Sequence, residues 1–143
     1  MNSSFSLARG LLAAGAAACV LAFHAGAASA DEVKVTLSGS QEVPPVTTSA
    51  SGNGAITVNP DKTVSGSIAT KGISATAAHI HAGAAGKNGS VIVPLAKSGD
   101  SGFAVPPGAK LTDEQMKSFK AGDLYVNVHS AAHPGGEIRA QLK

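Results

Sequence analysis

Four of the five histidines, His79, His81, His129 and His133, are the residues of this chain best suited to chemistry. Imidazole is the commonest metal ligand in proteins, and it binds copper and zinc well without a thiolate. Two of the four stand in His79-Ile80-His81. On an extended strand, residues i and i+2 point to one face, with Cα atoms about 6.6–6.8 Å apart. Two rings at that spacing can converge on one ion, each nitrogen ~2.0–2.1 Å away. Ile80 then points to the opposite, apolar side. The segment Leu124–His129 repeats the pattern, with Leu124, Val126 and Val128 on one face and Tyr125, Asn127 and His129 on the other. If the two segments are neighbouring strands, His79, His81 and His129 make a three-nitrogen site with an open position, outside the hydrophobic interior. His133 lies four residues on, beside Pro134-Gly135-Gly136, and is a candidate fourth ligand. The expected ion is copper, with zinc as the alternative. A His-x-His pair also arises on ordinary polar strand faces, so the third histidine on a second strand is what points to a metal. Asn127 and Glu137 are candidates to orient an imidazole by hydrogen bonding. For Glu137 the simpler expectation is a surface pair with Arg139 or a lysine.

The elements that must position these rings are short strands. Val33–Leu37, Gly54–Val58 and Thr63–Ala69 alternate apolar and polar residues with period two. Asn59-Pro60-Asp61-Lys62 is a turn, so the second and third of these runs form a hairpin. Ala77–His81, Val91–Leu95, Leu124–His129 and Glu137–Leu142 complete the set, with Pro94 marking an edge or end. About seven or more strands separated by turn signals predict an all-β fold, an antiparallel sandwich or Greek-key barrel. One segment differs. Thr112–Ala121 predicts a short helix, opened by a Thr112/Gln115 capping box and stopped by Gly122. Met116 and Phe119 share a face of it. Core packing is the expected role of Met116, against the alternative of a soft copper ligand.

The chain has 143 residues, enough for one domain. Met1–Ala30 has the pattern of a signal peptide cleaved after Ala30: Arg9 as its only charge, an apolar run Leu11–Phe23, and Ala28-Ser29-Ala30. The run is too short for a spanning helix, so no membrane span is expected after cleavage. The domain is then 31–143, in the periplasm or secreted. Cys19, the only cysteine, lies in the leader. It is lost on simple cleavage, or carries lipid if the leader is of lipoprotein type. A net charge of +2 leaves no electrostatic footprint for nucleic acid. No Gly-x-Ser-x-Gly elbow, phosphate loop or dinucleotide fingerprint is present. Gly83–Gly89 is glycine-rich but leads into Val91-Ile92-Val93, not a helix. It is expected to be a loop beside His81 with positive φ at Gly83, Gly86 or Gly89.

Three stretches resemble the CHRD (chordin) domain family. They are Leu37–Val46, containing Glu42-Val43-Pro44-Pro45; His79–Gly89, with its His-x-His-x-Gly; and Leu124–His129 followed by Pro134–Arg139. Together they span Val33–Lys143 in the family's order. Ala140 and Ser130 depart from the pattern, where glycine and threonine are usual. The resemblance implies an immunoglobulin-like β module of exported proteins, found in chordin and as stand-alone bacterial members, with histidines at the positions of His79, His81 and His129. It implies no enzyme. The strand-borne His-x-His also resembles the copper side of copper–zinc superoxide dismutase, without that protein's cysteine pair or zinc ligands. Three readings stay open. The first is a metal-binding protein for copper storage, delivery or electron transfer. The second is an interaction module for another exported protein or matrix partner. The third is a small copper redox enzyme.

Overall fold

The computed structural model describes residues 26–143. The expected leader, Met1–Ala30, lies almost wholly outside them, and Cys19 with it; Ala28-Ser29-Ala30 is exposed and in no regular element. From Asp31 the chain forms β1 (Asp31–Ser38), β2 (Ser51–Val58), β3 (Val64–Lys71), β4 (Ala75–Ala82), β5 (Val91–Pro94), β6 (Ala96–Ser98) and β7 (Gly102–Ala104). A helix, α1 (Asp113–Ala121), precedes β8 (Leu124–Ser130) and β9 (Ile138–Leu142). None of the described helices is long and apolar enough to cross a membrane.

Each strand expected from the alternation forms, most of them longer than the pattern alone marks. The β2–β3 hairpin runs in register from Val58 opposite Val64 to Ser51 opposite Lys71. Its turn is closed by Asp61, whose carboxylate accepts from the Thr63 amide at 3.0 Å and the Thr63 hydroxyl at 2.6 Å. The short strands β6 and β7 are additions that the sequence reading lacks. Ala96–Ser98 is exposed throughout and Gly102–Ala104 buries only Phe103, so neither shows an apolar alternation. The helix has the expected ends. Thr112 Oγ1 accepts from Gln115 N at 3.1 Å, Gln115 Oε1 accepts from Thr112 N at 2.9 Å, and Gly122 takes the left-handed conformation. Phe119 is buried in the core and Met116 packs against it, as the packing reading expects.

The strands make one antiparallel sheet in the order β5-β4-β8-β9-β1-β2-β3-β7-β6. Its first and last members, β5 and β6, are consecutive in the chain and separated only by Leu95. The two ends of the sheet must therefore meet. Leu95 N donates to Ala78 O at 2.9 Å, and Lys97 Nζ reaches Ala75 O at 3.1 Å, tying that junction to β4. The fold is all-β with one helix, as expected, and of the two expected forms it is closer to the barrel, a nearly closed sheet in which β1 and β9 are joined by the single pair Ser38–Arg139. A sheet with one apolar face must cover it. Curling does so, and the inward residues, among them Ile56, Ile68, Ile80, Val126 and Ile138, fill the interior.

Candidate metal centre

β4 and β8 are neighbours. Ala77 lies opposite His129, His79 opposite Asn127, and His81 opposite Tyr125. Paired residues of an antiparallel ladder point to the same face. Ala78 and Ile80 from β4, and Leu124, Val126 and Val128 from β8, therefore face the interior, where all five are buried. The histidines occupy the outer face, as the two-residue period requires.

That outer face is not open to water. His81 is only 7% exposed, and every residue of β8 except His129 is buried. The glycine-rich loop after β4 and the Glu42–Val46 turn lie over it, joined where Asn88 Nδ2 donates to Val43 O at 2.8 Å. Two glycines are needed for this cover. A Cβ on Gly89 would lie 1.5 Å from Ala82 O. Gly136, at φ +124°, would place one 2.5 Å from Glu42 Oε1 and 2.6 Å from Asn127 Nδ2. Of the three loop glycines expected at positive φ, Gly86 alone adopts it.

One nitrogen from each of His79, His81 and His129 lies within 4.8 Å of those from the other two. His81 Nδ1 contacts Gly89 O at 2.9 Å, and His129 Nδ1 contacts Pro134 O at 2.9 Å. A carbonyl only accepts, so each ring donates there, and each neutral imidazole carries its hydrogen on Nδ1. Both Nε2 atoms then present lone pairs, the arrangement in which a partner on one nitrogen fixes the other for a metal. His79 Nδ1 stands 3.0 Å from His129 Nε2. Two nitrogens sharing one ion at ~2.0–2.1 Å lie about 2.9–3.4 Å apart for angles of about 90–109°. That pair is already at ligand spacing. His81 Nε2 is buried with no hydrogen-bond partner, a costly state that a bound ion relieves. The three rings could thus hold a metal ion. His133 is not in this group. It sits in the turn after β8, where its amide contacts Ser130 Oγ at 3.2 Å.

The surroundings of the triad combine residues that the spacing placed on this face, Tyr125 and Asn127, with Arg139 and Glu42, which it did not single out. Tyr125 stacks on His81 with ring centroids 4.7 Å apart and planes 5° from parallel. The Arg139 guanidinium lies 3.4 Å from the centre of the Tyr125 ring. Arg139 is 1% exposed and donates to Lys87 O at 2.9 Å, pinning the loop. Asn127 is buried beside Glu42, whose carboxyl is also buried. Glu42 Oε1 and Asn127 Oδ1, like His81 Nε2, lack a well-formed hydrogen bond. Glu137 does not reach a histidine or Arg139. It accepts from Thr48 Oγ1 at 2.6 Å and from Ser130 Oγ, and these bonds hold its carboxyl below the usual range. The signal for Arg139 was its place on the same alternating face as Gln141, opposite Ile138 and Leu142.

A family model described as the CHRD domain matches residues 33–142. The chain belongs to the CHRD domain family. The match covers all nine strands apart from the start of β1, and it includes all three convergent histidines of this CHRD domain. No curated protein and no solved structure matched the chain.

Burial pushes the His79 ring below its ordinary value, and the charges His129 and His81 can carry push the same way. Burial also lowers His81, partly offset by its bond to Gly89. Glu42 is raised by burial and pulled back by Arg139. A histidine lowered by folding binds fewer protons in the folded chain. Its contribution to stability is complete above the unfolded value of about 6.5 and is lost as pH falls through the folded one. We expect the metal-free protein to lose urea resistance on acidification below about pH 6.5. The H79A/H81A double variant should show a flatter loss. Glu42 contributes in the opposite sense but is common to both proteins. Parallel curves for the two would contradict this origin.

Proposed function

We propose that this CHRD domain is an exported protein that binds copper through His79, His81 and His129, serving storage, delivery or electron transfer. The observation that carries the reading is the set of three imidazoles on adjacent strands, two of them oriented by backbone carbonyls so that Nε2 bears the lone pair, with His81 Nε2 unpartnered and His129 Nε2 3.0 Å from His79 Nδ1. Three neutral nitrogens suit copper or zinc, and the described residues include no cysteine to select softer chemistry. Copper is chosen because it binds nitrogen sites more tightly than zinc. Bound there, the ion would supply a redox couple and an exchangeable coordination position. The chain's part is to hold two rings in one tautomer and to shield His81 beneath the loop. Export rests on the leader pattern through Ala30, the domain beginning at Asp31. His133 is proposed only as an outer ligand reached by movement of its turn.

The test is metal content by mass spectrometry of protein purified from its native compartment, beside the H79A/H81A/H129A triple variant. Copper near one equivalent in the first and none in the second is the expected result. Equal metal in both overturns the proposal and leaves the interaction-module reading. Zinc in place of copper keeps the site and corrects the ion.

A further inference from the structure

The histidines are not the only ionisable groups beneath the loop. A full cation, Arg139, is stacked on Tyr125, which is stacked in turn on His81. The strand order β4-β8-β9 places Tyr125 between the two. Arg139 opposes positive charge on His81, and it opposes a bound cation for the same reason. A neutral three-imidazole set with a buried guanidinium beside it favours the ion of lower charge. Glu42 carries a buried carboxyl group close enough to Arg139 to feel its charge. It is 5% exposed, it faces Asn127, and Asn127 lies opposite His79 in the ladder. Arg139 acts on Glu42 as an opposite charge, and a cation at the histidines acts in the same sense.

We infer that Glu42, buried against Asn127 and set against Arg139, is the specificity-determining residue that lets the histidine triad hold a divalent ion in preference to a monovalent one. The inference rests on the metal-binding reading above. Gly136 belongs to the same device, because any side chain there would strike both Glu42 and Asn127. A carboxylate acts on an ion in proportion to the ion's charge, so its removal must weaken Cu(II) more than Cu(I).

The experiment compares Cu(II) and Cu(I) affinities of the wild type, E42Q and the triple histidine variant, each by competition with a chelator of known affinity. Folding is checked by circular dichroism. In E42Q, Cu(II) affinity should fall at least tenfold more than Cu(I) affinity. That difference raises the copper reduction potential by ~59 mV or more. An equal fall for both ions, or none, overturns the inference. If the triple variant binds copper as the wild type does, the metal-binding reading itself fails, and the two failures are thereby told apart. A second measurement needs no variant. In wild-type protein carrying Zn(II), the 13C resonance of the Glu42 side-chain carboxyl should lie at the ionised position. A protonated carboxyl there overturns the inference even if E42Q does not fold.

Discussion

His81→Ala is expected to lower copper affinity at least tenfold, a loss of ~1.4 kcal/mol or more. His81 is the ligand most completely prepared for an ion. Its Nδ1 hydrogen is fixed on Gly89 O, its plane is set by the stack on Tyr125, and its Nε2 is already out of water. Little ordering is left to be done on binding, which is where preorganised sites gain affinity. Removing a partner that only orients a ligand typically costs 10–100-fold, so removing the ligand itself costs at least as much. His79→Ala should act in the same direction. Thr76→Ala, exposed on the same strand with its hydroxyl on His129 O, should leave affinity unchanged. Isothermal titration with Cu(II) on the four proteins reads the result, with melting curves to show that each is folded. Unchanged affinity in both H79A and H81A would sink the proposed site.

The positions of the histidines were legible because strand geometry is so simple. A period of two fixes which side chains share a face, and the apolar partners Ile80, Val126 and Val128 fix which face that is. The pairing of β4 with β8 needed more, since nothing local specifies that residues nearly fifty positions apart are neighbours. The alternation of apolar and polar residues carried the strand set, while the order of the strands around the sheet escaped it. Closure depends on Leu95 joining the first and last strands, and the short β6 and β7 have no pattern to announce them. The same limit explains Glu42 and Arg139. An alternating pattern says that Arg139 is opposite the core, and a charged residue opposite the core normally means solvent. Only the loop laid across that face, held by Asn88 and by glycines where a Cβ would collide, turns it into an interior. The glycine spacing of the loop was visible, but what it covered was not.

That second, polar interior makes Arg139 the substitution with the greatest expected cost to the fold. Arg139→Ala should destabilise the protein by about 3–5 kcal/mol, since several hydrogen bonds from one buried cation and its packing on Tyr125 are lost together. The reasons add. Glu42 is left buried without its counter-charge. The carbonyls of Ala84 and Lys87 lose their donor, and Asn88 Oδ1 loses one as well. Tyr125 loses the guanidinium packed on its ring. A surface ion pair such as Lys62–Asp113 offers the contrast, since Lys62→Ala should cost about 1 kcal/mol or less. Urea denaturation of the metal-free proteins measures both. The double variant R139A/E42Q separates the causes, because it removes the stranded carboxylate while leaving the loop carbonyls unsatisfied. Its loss should be smaller than the sum of the two single losses by about 0.5–3 kcal/mol, the coupling usual for groups that share a network. Strict additivity would mean that Arg139 serves the loop alone and that Glu42 answers to some other charge. A loss below about 1 kcal/mol in R139A would mean that the outer face is wet, and the shielding assigned to His81 would go with it.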